Sequence, residues 1–221
     1  MTRSIPYQSV LLRLIHGTIS MLTVLAIGTG FWVYDTYDER WGGLPLPKVG
    51  DIQGIHGTIA LTLFLIFPLF ALYSFHLGDR RLMQDASWGE LSKLNQNKGW
   101  VALHRLANTV MLLALTLAIL SGRMMKEEWL PQGELNHLAY YAHLIAWVVV
   151  VIALALHLLL GVKVGGVPLL LSMFRWGKRS HDTPQHWLGA IKVSQSMPLK
   201  VIEGIVLAGI ILALVVPVLG T

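Results

Sequence analysis

Two histidines on one long apolar stretch have a spacing that suits metal binding at two depths. Residues 135–162 contain no Asp, Glu, Lys or Arg, yet they include His143 and His157, which are 14 residues apart. In an α-helix this separation is about 40° short of four full turns and about 21 Å along the axis. Both imidazoles therefore leave the helix on nearly the same face, and they span most of the roughly 30 Å hydrocarbon core of a bilayer. One helix thus offers a nitrogen ligand near each membrane surface.

Helices that cross a membrane must position these side chains, and the composition predicts such helices. Of the 221 residues, 54% are hydrophobic and 13% are charged. Because about 20 apolar residues span a bilayer as a helix, we expect an all-α integral membrane protein. A four-helix transmembrane bundle would be followed by a fifth, C-terminal transmembrane helix, for which a hairpin or a surface amphipathic segment is the alternative. The charge-free intervals are 14–34, 52–78, 106–122, 135–162 and 204–221.

The positions of the basic residues predict the orientation. Thirteen of the 17 Lys and Arg residues lie on the side of the membrane that holds the N-terminus, and four lie on the other side. Basic residues concentrate in cytoplasmic loops, so we expect a cytoplasmic N-terminus. No small-residue cleavage site follows the first apolar run, and we expect this run to be retained as a span. Because the basic residues belong to loops between spans, the net charge of +5 does not indicate nucleic acid as a partner.

Depth pairs the histidines of different helices. His16 opens the first span near the cytoplasmic surface, and His56 opens the second span near the outer surface. The fourth span runs inward, so His143 lies near the outer surface and His157 near the inner one. His16 is thereby matched in depth with His157, and His56 with His143.

Two imidazoles at matched depth on different helices are what six-coordinate haem iron needs, one on each side of the porphyrin. We therefore predict two haem b groups bound by His16, His56, His143 and His157. The chain has no cysteine, which excludes disulfides, iron–sulfur clusters and thioether-linked haem. Zinc is the chemical alternative, but it usually takes three or four ligands in one cluster. Taken singly, each histidine is also compatible with interfacial hydrogen bonding.

Other polar residues enter the membrane at the depth of the inner pair. Arg13 lies one turn from His16, and His104, Arg105 and Asn108 open the third span. We expect Arg13, His104 and Arg105 to contribute to cofactor binding by neutralising or hydrogen-bonding the haem propionates, with interfacial anchoring as the alternative for each. The remaining histidines are expected in loops or at the interface: His76, His137, His181 and His186.

Glycines near the histidines are a weaker indication of the same kind. A residue without a side chain lets a porphyrin or a neighbouring helix approach closely. Ordinary helix packing explains each position equally well. The glycines concerned are Gly17, Gly28, Gly30, Gly54, Gly57 and Gly122.

The pattern of these residues is similar to that of a known family. Arg13-x-x-His16 at the start of the first span, a histidine at the start of the second, and His143-x13-His157 in the fourth resemble the prokaryotic di-haem cytochrome b561 family over roughly residues 8–176. This family includes the cytochrome b subunits of nickel–iron hydrogenases and formate dehydrogenases. The resemblance implies that the four histidines ligate two b haems in the pairs that depth gives. It also implies electron transfer across the membrane between a redox partner and quinone.

The predicted organisation is a di-haem domain over 1–176, a cytoplasmic linker over 177–200 and a C-terminal hydrophobic helix over 201–221. Apolar residues in 169–176 precede Arg175, Lys178 and Arg179, which predicts a segment lying flat at the inner membrane surface. The resembled family usually has four helices, so the last helix extends beyond it.

We therefore expect electron transfer between a quinone pool and a redox partner, as the cytochrome b subunit of a respiratory or photosynthetic complex in a prokaryotic inner membrane. One alternative is a stand-alone quinone-linked oxidoreductase that acts on a small diffusing substrate such as superoxide. Another is a haem-free transporter or assembly subunit whose histidines relay protons. The outer loops carry a net charge of −3, which would repel a small anion and favours the subunit hypothesis.

Overall fold

The structure, a computed structural model, consists of helices and connecting loops throughout its described part. It describes residues 6–175, 177, 179–180, 182–189, 191 and 196–219. We number the α-helices of these ranges in chain order. They are α1 Val10–Tyr37, α2 Ile52–His76, α3 Asp85–Glu90, α4 Asn97–Met124, α5 Leu138–Gly165, α6 Val167–Leu171, α7 Pro184–Gly189 and α8 Met197–Val215.

Five of these helices are long and apolar enough to cross a membrane, namely α1, α2, α4, α5 and α8 together with its 3₁₀ extension to Leu219. Even the shortest of the first four has 25 residues, which span about 38 Å at 1.5 Å per residue and exceed the roughly 30 Å hydrocarbon core. Apolar side chains such as Leu65 and Leu159 point outward and are exposed on the bundle surface. The predicted all-α, multi-pass membrane architecture is confirmed.

Local sequence determines where the long helices begin and end. The Ser9 hydroxyl accepts from the Leu12 amide at the start of α1, and the Asp51 carboxylate accepts from the Gly54 amide at the start of α2. Such side chains satisfy amide groups that the first helical turn leaves without partners. Gly166 ends α5 with a φ of 70°, a conformation that favours glycine. These ends fix the depth at which each histidine stands in its helix.

The spans pack as two pairs with a fifth helix between them. α1 packs along α2, and α4 packs along α5. α8 packs against α4 and α2, and its Val206 and Ala213 are fully buried in the main apolar core. We call the end where α1, α4 and α8 begin the basic end, and the opposite end the acidic end.

The fifth span therefore belongs to this bundle. The Cβ position of Gly209 in α8 would lie 2.4 Å from Cγ2 of Thr116 in α4, so only glycine allows this approach. Glu203 pairs with His76 of α2 at 3.0 Å between the carboxylate and Nε2. α8 begins at Met197, four residues before the predicted boundary, because Pro198 fits the first turn of a helix.

The segment after α5 folds back over the start of α1. α6 and the 3₁₀ turn Ser172–Phe174 lie at the basic end, where the sequence predicted a flat segment. Asp182 accepts hydrogen bonds from the Tyr7 hydroxyl, the Val10 amide and the Trp187 indole. Burial alone would raise the pKa of Asp182, but these hydrogen bonds and the charge of Arg13 hold it below its ordinary value. Within the predicted linker, α7 is a helix that the sequence analysis did not expect.

Candidate functional site

The first histidine pair lies towards the basic end and joins α1 to α5. The ring centroids of His16 and His157 are 6.0 Å apart, and the ring planes are inclined by 36°. His16 stands two turns into α1, and His157 stands two turns before the end of α5. The depth argument predicted this juxtaposition.

The second pair lies towards the acidic end and joins α2 to α5. The centroids of His56 and His143 are 6.2 Å apart, and the rings are nearly perpendicular at 77°. His56 lies in the second turn of α2, and His143 in the second turn of α5. One helix, α5, thus contributes one imidazole to each pair.

The spacing within each pair suits a metal held between two imidazoles. A metal–imidazole nitrogen bond is about 2.0 Å long, and each nitrogen lies roughly 1 Å from its ring centre, so two such bonds in line separate the centroids by about 6 Å. The measured separations are 6.0 and 6.2 Å. Among the described residues no group of three or more His, Cys, Asp or Glu side chains is arranged to hold a metal ion. The donor set therefore consists of two separate imidazole pairs.

At the acidic end, hydrogen bonds determine which nitrogen of each ring carries the proton. His143 Nδ1 lies 3.0 Å from the Ala118 carbonyl oxygen, so Nδ1 must carry the proton and donate it. His56 Nδ1 lies 3.1 Å from the Thr29 hydroxyl oxygen, and that hydroxyl donates to the Leu25 carbonyl. The Thr29 oxygen therefore accepts from Nδ1 of His56. Nε2 of both rings keeps its lone pair.

At the basic end, Asn108 determines which nitrogen of His157 carries the proton. Asn108 Nδ2 donates to the Arg81 carbonyl at 2.9 Å, which turns Oδ1 of the amide towards His157 Nδ1 at 2.7 Å. Since Oδ1 can only accept, Nδ1 of His157 is the donor. His16 Nδ1 lies 3.2 Å from the hydroxyl of Ser20, one turn further along α1.

The Nε2 atoms of His56, His143 and His157 are thereby left with free electron pairs, and Nε2 of His16 likewise has no hydrogen-bond partner among the described residues. Each Nδ1 has a protein partner, and none of the four Nε2 atoms makes a hydrogen bond with the described residues. Metal-binding histidines commonly hold their second nitrogen in this way, which fixes the tautomer and the ring orientation. The residues present fit a metal bound through Nε2 at both pairs.

Two glycines let helices approach the rings of the acidic-end pair. A Cβ on Gly30 of α1 would lie 3.1 Å from Cε1 of His56, and a Cβ on Gly122 of α4 would lie 3.2 Å from Cε1 of His143. Both distances are tighter than ordinary contacts. Three other glycines singled out in the sequence, Gly17, Gly28 and Gly57, would place Cβ in open space, and Gly54 lies against the capping carboxylate of Asp51.

A buried hydroxyl between the two pairs has no partner. Thr23 is only 5% exposed, and its Oγ1 makes no hydrogen bond with the described residues. Thr23 is seven residues from both His16 and Gly30. Seven residues fall about 20° short of two full helical turns, so the three positions lie on one face of α1. Thr23 therefore lies on the face of α1 that carries His16 and Gly30. A buried polar atom without a hydrogen-bond partner fits a region that encloses a bound cofactor.

The three other predicted cofactor-binding residues lie at the basic end. His104 approaches the far side of His157, with 5.2 Å between ring centroids. Arg105 donates to the Arg80 carbonyl and the Ser87 hydroxyl and lies 3.8 Å from the Glu90 carboxylate. Arg13 donates to the backbone carbonyls of residues 175 and 177. The structure thus brings His104 to the inner pair, whereas both arginines hold neighbouring loops.

The histidines that we expected outside the site lie outside it in the described part of the chain. His76 pairs with Glu203, His137 stacks on Trp129 with 3.7 Å between ring centroids, and His186 contacts Thr183. His181 lies outside the described residues. Four hydrogen-bonding partners of the paired rings were not predicted: Ser20, Thr29, Ala118 and Ser121, whose hydroxyl oxygen lies 3.2 Å from Nδ1 of His143. Only Ser20, four residues after His16, could have been found from its spacing.

A comparison with protein families gave a match that covers most of the chain. A family model described as prokaryotic cytochrome b561 matches residues 7–176, which include all four paired histidines. α8 lies beyond the matched region. Comparison with curated proteins and with solved structures gave no match.

Proposed function

Because the chain belongs to the prokaryotic cytochrome b561 family of membrane electron-transfer proteins with b-type haem, we propose that it holds two b haems and carries electrons between a quinone pool and a redox partner. The observation that supports this most directly is the free Nε2 of four imidazoles arranged as two pairs about 6 Å apart. Residues 1–176 form the electron-carrying unit in this proposal, and α8 is an addition to it.

His16 and His157 hold one haem, and His56 and His143 hold the other. A haem iron held between two imidazoles takes up and releases one electron without binding a substrate. The side chains around it have defined tasks. Ala118, Thr29 and Asn108 orient the ligand rings through Nδ1, and the apolar faces of α1 and α5 exclude water between the two sites. Gly30 and Gly122 leave the room that the rings of His56 and His143 require.

The N-terminus is cytoplasmic in this proposal, because the basic end then faces the cytoplasm. We place quinone exchange at this end, near Arg13, His104 and Arg105. A connected polar set supports the placement: His157 donates to Asn108, Asn108 donates to the Arg81 carbonyl, and Arg105 lies between Ser87 and Glu90. His104, an imidazole beside this set, can exchange protons with the aqueous phase next to an apolar site. Arg13 and Arg105 also supply positive charge for the propionates.

The acidic end favours a protein partner over a small anionic substrate. Arg40 is paired with Asp38 at 2.7 Å, and the hydrogen bond that Arg40 donates to the Asp38 carboxylate raises the pKa of Arg40. Arg123 lies over the Phe64 ring and donates to the Ala213 carbonyl. Lys48 lines a polar cavity together with Asp35 and other acidic residues. Two of the four basic residues at this end are thus held by neighbours, and a third, Lys48, lies among carboxylates, which leaves little to attract an anion such as superoxide.

The test is haem content per chain, with reduced-minus-oxidised spectra, for detergent-purified wild type, His143→Ala and His157→Ala. We expect two b haems in the wild type and the loss of a different one in each variant, because each variant removes one ligand of one pair. His137→Ala is the matched control: it removes a histidine just before α5 that is stacked on Trp129. That variant should keep both haems.

Other results would redirect the proposal. A wild type without haem under haem-replete expression would favour the haem-free proton-relay transporter. Copurification with a metalloenzyme supports the subunit role, whereas turnover by the isolated chain supports a stand-alone oxidoreductase. A quinol analogue that perturbs only the spectrum of the His56–His143 haem would contradict quinone exchange at the basic end.

A further inference from the structure

A cavity of about 230 Å³ at the basic end is lined by three arginines. Arg13, Arg175 and Arg179 surround it together with Tyr7 and Ser172. The folded-back segment after α6 forms one wall, and residues 6–8 together with Arg13 of α1 form the other. The cavity is separate from the two histidine pairs, and neither Arg175 nor Arg179 takes part in the proposed electron transfer.

The positive charge of this cavity is not balanced by carboxylates. Every Asp and Glu of the chain lies within the described residues, and none forms an ion pair with Arg13, Arg175 or Arg179. Asp182 is close enough to Arg13 for their charges to interact, but its oxygens accept from Tyr7, Val10 and Trp187. One carboxylate among three guanidinium groups leaves a net charge of about +2.

The donors of two of the arginines are available. Arg13 uses its guanidinium to hold the carbonyls of residues 175 and 177, which fixes the segment that carries the other two. The guanidinium of Arg179 lies 4.3 Å from the Tyr7 ring centre, so its edge remains open. The side chains of Arg175 and Arg179 are exposed and make no hydrogen bond with the described residues. Guanidinium groups of this kind match the oxygens of a phosphate, which they can bind in pairs.

The residues that precede the cavity are apolar and exposed. Val167, Leu171 and Phe174 project from α6 and the following 3₁₀ turn, and Phe174 is 78% exposed. Apolar side chains next to arginines at the end of a transmembrane bundle are typical of a segment at the membrane interface. Acyl chains would contact these side chains at the depth where the arginines meet head groups.

We propose that this cavity binds the phosphate of a membrane phospholipid. Arg175 and Arg179 donate to the phosphate oxygens, and Arg13 adds positive charge from the α1 side of the cavity. Phe174 and Leu171 contact the acyl chains. The bound lipid would bridge the folded-back segment and the start of α1. A free phosphate would use the arginines but not the apolar side chains, which is why we assign the site to a lipid.

Native mass spectrometry of the full-length, delipidated protein in detergent tests this proposal. The probes are dioleoyl phosphatidylglycerol, dioleoylglycerol, which lacks the phosphate, and inorganic phosphate. The variant is Arg175→Gln with Arg179→Gln. The control is Lys93→Gln with Lys98→Gln, which removes the same charge from the loop before α4 and the first turn of α4. Arg175→Lys with Arg179→Lys keeps the charge but removes the paired donors, and thermal midpoints check that each variant is folded.

We expect wild type and the Lys93/Lys98 control to retain one phosphatidylglycerol with equal affinity. The glutamine variant should bind it roughly 25-fold more weakly, about fivefold for each cation removed, and the lysine variant should fall between. Equal retention by wild type and the glutamine variant would overturn the proposal, as would equal retention of dioleoylglycerol. Competition by inorganic phosphate at the same concentrations as the lipid would overturn the assignment to a lipid.

Discussion

At the scale of single residues, the site depends on which nitrogen of each imidazole is free. Carbonyl, hydroxyl and amide oxygens contact Nδ1 of each ring, and Nε2 makes no hydrogen bond with the described residues. Those contacts set the basicity of the ligand as well as its direction. Substitutions beside the rings should therefore change one haem at a time, and spectroscopy of two distinct haems gives each variant an internal reference.

Asn108→Leu should raise the reduction potential of the haem held by His16 and His157. The leucine removes the acceptor of the His157 Nδ1 proton, which makes the imidazole a weaker donor to the oxidised iron. A hydrogen bond of about 1 kcal/mol corresponds to a shift of roughly 40 mV for one electron. Redox titration measures this, with the His56–His143 haem as reference. Equal shifts of both haems would argue against a local effect of Asn108.

Gly30→Ala should disturb only the haem held by His56 and His143. Its new methyl group would stand 3.1 Å from the His56 ring, and such overpacking costs about 1–3 kcal/mol. We expect partial loss of that haem or a shift of its absorption band. Gly28→Ala in the same helix meets open space and should match the wild type. If the two alanine variants behave alike, the close approach of α1 to His56 has no role in haem binding.

The histidine pairs were predictable, whereas most of their supports were not. The rise of a helix fixes the depth of each histidine once the spans are known, so depth alone matched His16 with His157. The partners Thr29 and Asn108 depend on how separate helices are rotated about their axes. The sequence of one helix does not contain that rotation, because packing of all the helices together determines it.

At the scale of elements, α8 completes a bundle whose other four spans pack as two pairs. Its contacts with α4 are close, and its Glu203 pairs with His76 of α2. Its hydrophobicity predicted a span, but nothing in its sequence indicated which helices it contacts. Small residues on its buried face, Gly209 and Ala213, were compatible with any neighbour. The contact with Thr116 exists because the loops bring α8 to the groove between α2 and α4.

Gly209→Ala should destabilise the packing of α8. The new Cβ would lie 2.4 Å from Cγ2 of Thr116, and the Thr116 hydroxyl is itself bound to the Leu112 carbonyl, so this side chain cannot simply rotate away. A cost of about 1–3 kcal/mol lowers the thermal midpoint by about 2–4 °C per kcal/mol. Gly204→Ala, on an open part of α8, should leave the midpoint unchanged or raise it. A Gly209→Ala midpoint equal to that of Gly204→Ala would contradict tight packing here.

At the scale of the whole molecule, the two ends differ in charge, with +8 at the basic end and −3 at the acidic end by loop composition. This asymmetry was visible in the sequence, because it needs only the order of spans and loops. The local pairing of charges was not visible: the ion pair of Arg105 with Glu90 requires a tertiary contact, and that of Arg40 with Asp38 requires the particular conformation of their loop. Loop charges therefore predicted a direction in the membrane but not the local fields at either surface.

Single cysteines can test the direction, because the chain has none of its own. Ser92→Cys is exposed at the basic end, and Gln132→Cys is exposed at the acidic end. If the N-terminus is cytoplasmic, a membrane-impermeant maleimide added to intact cells should label Gln132→Cys and leave Ser92→Cys unlabelled until the membrane is opened. The reverse pattern would show that the basic end faces outward.

The sharing of α5 between both histidine pairs has a mechanical consequence. Because His143 and His157 lie on the same helix, a rotation of α5 or a shift along its axis must move both histidines together. Motions of α1 or α2 strain only one set. A partner protein that displaced α5 would therefore change the geometry of both histidine pairs at once. A partner that displaced α1 or α2 would change only one pair.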